Sequence, residues 1–225
     1  FFFEAAHSNA HGDQRCARLH GHSYRVDIIV GGEVAAPAGW LMDYGDIKSA
    51  FLPYYRMLDH AHLNAIEGLE ADTRLPAMRC WILNKLGDSL PGLVDVQVSI
   101  VGDCAFSPVL IPVESALALP ERWRFTFEAA QSLPQLSSEH PCHAMHGHSY
   151  RAEAGAKDMK RLRVELAVVY EELDHRCLND LAGLEGATCE QLCGWLWQRL
   201  DTSNVTPLVV VVQETESARC IYRGL

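Results

Sequence analysis

The chain has 225 residues, 48% hydrophobic and 21% charged, with a net charge of −10. This composition supports a buried core rather than disorder, and the acidic balance argues against a general nucleic-acid or anionic-membrane binder. No apolar run approaches the ~18 residues of a membrane span, and the opening Phe1-Phe2-Phe3 is too short, and lacks the basic flank, for a leader; the expected compartment is the cytosol. Eight cysteines, mostly in apolar segments of a chain large enough for a core, read as free thiols rather than a disulfide framework.

In chain order, residues 1–6 read as a strand entering a loop. Residues 20–32, "HGHSYRVDIIVGG", alternate and end in a Gly-Gly turn, and "GWLMDY" at 39–44 is expected to begin a hairpin partner. Helical spacing covers residues 46–58 and 76–86, and "VDVQVSIV" at 94–101 is another strand. The order is β-β-α-α-β, with a further strand expected at the end.

The chain then repeats itself. "FEAAH" (3–7) returns as "FEAAQ" (127–131), "CARLHGHSYR" (16–25) as "CHAMHGHSYR" (142–151), and "LDHAHLN" (58–64) as "LDHRCLN" (173–179), each last block followed by "GLE". Blocks in the same order make this a tandem duplication of two fused units, 1–119 and 120–225, joined within "ALALPERW" at 116–123. The second copy is shorter in one place: Tyr24 to Asp43 spans nineteen positions and Tyr150 to Asp158 eight. That difference is either a truncated hairpin or a loop missing from the sequence.

His20-Gly21-His22 on a strand puts both imidazoles on one face, where they can share a metal ion. His7, near the start of the neighbouring strand, can supply a third. Three neutral imidazoles with an open position describe catalytic zinc. A closed structural site with Cys16 as fourth ligand is the rival reading.

Taken together, F-x-A-A-H, C-x-x-x-H-G-H-x-Y, G-x-x-x-D-Y, L-D-H-x-x-L-N, a T-x-E before a helix and a final E-T resemble the 6-pyruvoyltetrahydropterin synthase family. The three residues between Cys16 and His20 are more similar to its 6-carboxy-5,6,7,8-tetrahydropterin synthase branch, of queuosine biosynthesis. The resemblance implies an α+β fold of two tandem tunnelling-fold units. Each is a small antiparallel sheet with two helices on one face, and the units assemble into a barrel homo-oligomer with sites between them. It implies a zinc-dependent lyase that converts 7,8-dihydroneopterin triphosphate to 6-carboxytetrahydropterin, releasing acetaldehyde and triphosphate. Triphosphate elimination to the pyruvoyl product, or a pterin- or metal-binding scaffold without catalysis, are the alternatives. By family match His7, His20 and His22 are Zn²⁺ ligands and Cys16 is the proton-abstracting base. Asp59-His60 and Asp174-His175 are candidate proton-relay pairs, and Glu214 with Thr215 grips the pterin. A dication can chelate side-chain hydroxyls and favours a neighbouring thiolate; a carboxylate can accept from the pterin amino group and ring N–H.

Neither copy carries the full set. The first has no E-T, reading "SIVGDCAF" at 99–106, and Thr73-Arg74-Leu75 in place of T-x-E. The second keeps Glu214, Cys142, His146 and His148, but has Gln131 where the first has His7, and a neutral amide oxygen is a poor zinc ligand. The expectation is therefore a degenerate second metal site and a division of labour: the first copy supplies zinc and Cys16, the second Glu214. Three chains could then give two stacked barrels, or two chains one alternating four-unit barrel.

Overall fold

The structure is a computed structural model that describes residues 1–11, 13–32, 41–102, 106–109, 119–215 and 218–224. The repeat in the sequence is a repeat in space. In the first unit β1 (Phe2–His7) and β2 (His20–Val30) are antiparallel neighbours. The unit continues with α1 (Tyr44–Leu58), the two-residue β3 (Ala61–His62), α2 (Leu75–Leu86) and β4 (Leu93–Ile100). Its sheet has the order β3-β1-β2-β4. The second unit runs β6 (Arg122–Gln131), β7 (His146–Ala156), α3 (Met159–Leu173), β8 (Arg176–Cys177), α4 (Cys189–Thr202), β9 (Pro207–Thr215) and β10 (Ala218–Tyr222). Its sheet has the order β10-β9-β7-β6-β5, with β8 also on β6. The edge strand β5 (Phe106–Val109) precedes the sequence junction yet pairs with β6, Phe106 opposite Phe125.

Each unit buries one face of its sheet under its two helices. Phe3, Tyr24, Val26 and Val96 meet Phe51, Leu58, Met78 and Ile82; Phe127, Tyr150, Ala152 and Val210 meet Leu162, Leu166, Leu173 and Leu196. The buried positions of α3 fall every three or four residues, as an amphipathic helix requires. Phe3 stacks on Tyr24, and Phe127 on Tyr150, each pair 4.9 Å apart.

The strand expected at residues 39–44 is not seen among the described residues. Residues 39 and 40 lie outside the described residues, 41–43 are not in a strand, and Tyr44 opens α1. The reason is capping. The Asp43 carboxylate accepts the Gly45 N–H at 2.7 Å, which starts a helix instead of a ladder, and β2 takes β4 as its partner. Asp158 does the same for α3, accepting from Lys160 and Arg161 at 3.1 and 3.0 Å, two residues after β7 ends. The shorter second copy is thus a direct strand-to-helix turn.

The two sheets meet face to face where the H-G-H segments cross. A Cβ built on Gly21 would lie 2.2 Å from the Gly147 Cα, and 2.9 Å from the carbonyl oxygens of both Ala5 and Ala129. Ala6 and Ala130 pack together in the same zone. Only small residues allow this approach, which explains why F-E-A-A and the central glycine occur in both copies. No helix among the described residues is long and apolar enough to cross a membrane.

Candidate active site between the two units

Register builds the first cluster. His7 lies opposite His20 in the β1–β2 ladder, and His22 follows two residues on, so all three imidazoles share a face. Their ring centroids are 4.4 to 4.9 Å apart, and the three donor atoms lie within 4.8 Å of one another. Each Nδ1 is already engaged: His7 with Thr73 Oγ1 at 2.8 Å, His20 with the Arg18 carbonyl at 2.8 Å, His22 with Glu128 Oε2 at 2.7 Å. That leaves every Nε2 for a common ligand, and His7 Nε2 is buried without a partner. Burial, aided by the neighbouring imidazoles, lowers His7 to about 2 and His20 and His22 to about 3, so all three are neutral lone-pair donors. The set fits a catalytic zinc ion: three imidazoles with oriented tautomers and an open side.

The open side is a cavity of about 400 Å³ lined by the triad, Cys16, Thr73, Ile100 and His175. His175 comes from the other unit and stands 4.3 Å, ring to ring, from His20. It follows α3 at a backbone φ of 53°, a left-handed conformation unusual for a non-glycine residue. Its N–H donates to the Glu128 carbonyl, and its Nδ1 meets Asp174 Oδ2 at 2.8 Å. Asp174 also accepts from Tyr170 Oη at 2.9 Å and the Glu128 N–H at 3.1 Å. Burial works against its charge, but the bonds from His175, the Glu128 N–H and Tyr170 outweigh burial and hold the carboxyl below its ordinary value. Asp174 is therefore an anion that fixes the His175 ring.

The second cluster mirrors the first. His60, at φ 55°, stands 4.6 Å ring to ring from His146, and Asp59 accepts the Glu4 N–H at 3.1 Å. His146 Nδ1 engages the Ala144 carbonyl at 2.8 Å and His148 Nδ1 engages Glu4 Oε2 at 3.0 Å. The Asp-His pairs are thus exchanged: each unit sends its own to the other unit's histidines. Gln131 occupies the place of His7, and Glu214 enters this cluster, with Oε1 3.1 Å from His148 Nε2 and in contact with Gln131 Nε2. Cys142 sits here as well, its thiol pushed up by burial and by the Glu214 and Asp59 carboxylates.

Within a chain Glu214 and Thr215 do not join the triad; Ile100 lines that cavity instead. Glu214 and Thr215 open onto a separate cavity of about 290 Å³ between the units, shared with Glu4, Ser23, Ser149 and Arg151. Arg15 pairs with Asp13 and, across the units, with Asp174, and Arg25 pairs with Asp27. The seven described cysteines are free thiols.

A sequence model of the 6-pyruvoyl tetrahydropterin synthase family matches residues 1–101 and again residues 122–225. The chain belongs to that family. A 6-carboxy-5,6,7,8-tetrahydropterin synthase from Synechocystis sp. is 38% identical over 122 residues, which is 50% of this chain and 94% of the relative. A dihydroneopterin monophosphate aldolase from Pyrococcus furiosus is 30% identical over 95 residues, 42% of this chain and 77% of the relative. A solved Caenorhabditis elegans 6-pyruvoyl tetrahydropterin synthase superposes with a TM-score of 0.41 at 19% identity, covering 54% of this chain and 97% of that one. The fold is accordingly α+β, two tandem units of the synthase family in one chain, and the family is one of pterin lyases.

Some residues of this synthase-family site carry weight that sequence reasoning missed. Glu4 and Glu128, the acidic members of F-E-A-A, each orient the second H-G-H histidine of the opposite unit. Ser23 and Ser149 tie the same crossing, each Oγ accepting the other's backbone N–H at 2.9 and 3.0 Å. Thr73, the remnant of a lost T-x-E, orients His7, whereas Thr188 caps α4. The signal was present: Glu and Ser stand in both copies of the repeated blocks.

Proposed function

We propose that the triad cavity converts 7,8-dihydroneopterin triphosphate to 6-carboxy-5,6,7,8-tetrahydropterin with release of acetaldehyde and triphosphate, the step that serves queuosine biosynthesis. The observation that carries this reading is the meeting, in one cavity, of three neutral imidazoles, a free thiol and a cross-unit Asp-His pair. His7, His20 and His22 would hold Zn²⁺, which when bound supplies Lewis-acid polarisation of the substrate's side-chain hydroxyls. Cys16 takes a proton from a side-chain carbon. His175, held by Asp174, moves a proton at a side-chain hydroxyl and stays oriented by that carboxylate as its charge changes. Thr73 and Glu128 keep the ligand imidazoles in the tautomer that faces the cavity.

The two sheets of one chain share no ladder among the described residues, so closing either into a barrel takes further copies. Three chains, giving two stacked barrels joined at the Gly21–Gly147 crossing, is the assembly this packing supports.

Product mass after incubating the zinc-loaded chain with dihydroneopterin triphosphate tests the reading. Acetaldehyde with a carboxylated pterin is the expected result, and a pyruvoyl product would point to the sister elimination. One observation favours a second reading, a metal-binding scaffold without turnover: Ile100 stands in the triad unit where the other unit has Glu214, the residue expected to grip the pterin. Metal binding with no product would decide for it.

A further inference from the structure

The second cluster has lost a metal donor at one position and gained one at another. Arg25 faces Ser99 in the β2–β4 ladder and Arg151 faces Gln213 in the β7–β9 ladder, so Ile100 and Glu214 are equivalent positions. His7 faces His20 and Gln131 faces His146, so these are equivalent too. The first unit therefore carries His and Ile where the second carries Gln and Glu. One unit draws its third donor from the first strand, and the other has a donor available on the last strand of the ladder.

We propose that His146, His148 and Glu214 bind a second divalent transition-metal ion of the zinc class, so that each chain holds two. His146 and His148 commit their Nδ1 atoms to the Ala144 carbonyl and to Glu4, as His20 and His22 commit theirs to the Arg18 carbonyl and to Glu128. Both Nε2 atoms are left for the ion, and a carboxylate–histidine pairing is the usual outer support of a metal-bound imidazole. The three donor atoms lie within 4.8 Å of one another. His148 Nε2 and Glu214 Oε1 are 3.1 Å apart, and two donors bound at 2.0–2.1 Å to a tetrahedral ion sit about 3.3 Å apart. Two imidazoles with one carboxylate are an established zinc donor set. Gln131 does not oppose this: its Nε2 donates to Glu214 and holds that carboxylate beside His148. Two carboxylates, Glu4 and Glu214, converge on the buried His148, and a cation satisfies Glu214 while leaving Glu4 on the imidazole. This is a different reading from the degenerate site expected from Gln131 alone.

The test is a metal count on the full chain, stripped with chelator, dialysed against zinc and measured by elemental analysis, with cobalt(II) absorption as a second readout. It needs no substrate, so its failure is distinct from failure of the proposed activity. Two ions per chain are expected, falling to one in Glu214→Gln, to one in His7→Ala, and to none in the double variant. His146→Gln, which alters a different ligand, must also lose one ion. A wild-type count of one that Glu214→Gln leaves unchanged would overturn the proposal. A count of two that survives in Glu214→Gln would overturn it equally, since the second ion would then rest on other donors such as His60 and Cys142.

Discussion

Glu128 of the second unit holds His22 of the first, Oε2 to Nδ1 at 2.7 Å, and both side chains are buried. An acid from one half of the chain thus orients a triad histidine of the other half, one of the proposed metal ligands. Loss of such an outer partner costs about 10–100-fold in metal affinity. Glu128→Ala is expected to weaken zinc binding at the triad by that factor, with partial recovery in Glu128→Gln, whose amide oxygen can still accept from Nδ1. Competition against a chelator of known affinity measures it, and unchanged affinity in the Ala variant would remove Glu128 from the metal support.

The exchanged Asp-His pairs predict an asymmetry between sequence-equivalent residues. His175 faces the triad and His60 faces the Glu214 cluster. If the triad is the reacting site, His175→Ala lowers kcat by about 10²–10⁴, the ordinary contribution of a positioned general acid or base. His60→Ala perturbs the other cluster, so the two kcat values should differ by at least tenfold. Equal losses would mean that the reaction does not distinguish the clusters.

Much of this was legible in the sequence because the repeat was. Helices at 46–58 and 76–86 show in their apolar spacing, and the triad shows in the alternation of His20 and His22 on a strand. "LDH" and "LN" also mark a shared strap. Asn64 bonds to both backbone groups of Ser8 and to the Glu70 carbonyl, and Asn179 repeats this with Ser132 and Glu185. What the sequence did not reveal is set by how the units face each other. Nothing local to F-E-A-A says that its Glu reaches the opposite unit, or that Glu214 turns toward His148 rather than the triad. The strand expected at 39–44 failed for a local reason, since an aspartate before a helix competes with strand pairing.

The buried histidines set the acid response of the metal-free chain. His7, His20 and His22 stay neutral in the folded state down to about 2 or 3, and His146 down to about 4, mainly through burial. Unfolded, they take up protons near pH 6.5. Below that pH the unfolded chain binds more protons, so stability falls as pH falls, by about 1.4 kcal/mol per pH unit for each histidine. Glu128 and His148 act in the opposite sense. Burial raises Glu128 to about 8; for His148, burial is outweighed by the Glu214 and Glu4 carboxylates, which raise it to about 9. Their stabilisation is present at low pH and is lost as pH rises through those values. With four groups pulling one way below pH 6.5 and two the other way above it, the urea midpoint of chelator-treated protein should peak at about pH 6.5. A profile still rising between pH 7 and 9 would contradict these assignments.

The glycine crossing gives a prediction about stability. A methyl group on Gly21 would overlap the Gly147 Cα at 2.2 Å, and its other neighbours, the Ala5 and Ala129 carbonyls at 2.9 Å, are also backbone. No side chain can turn aside to admit it, so relief requires the two sheets to separate. Overpacking of this kind costs about 3 kcal/mol or more. Moving the sheets apart also pulls Glu128 from His22 and His175 from the triad. Gly21→Ala should therefore lower the unfolding midpoint and the zinc affinity together. Gly194 in α4 has open space around the same added atom, and Gly194→Ala should raise stability by about 0.5–1 kcal/mol by restricting the unfolded chain. Denaturant unfolding with and without zinc compares the pair. A Gly21→Ala chain as stable as wild type would mean that the two sheets are not held in backbone contact.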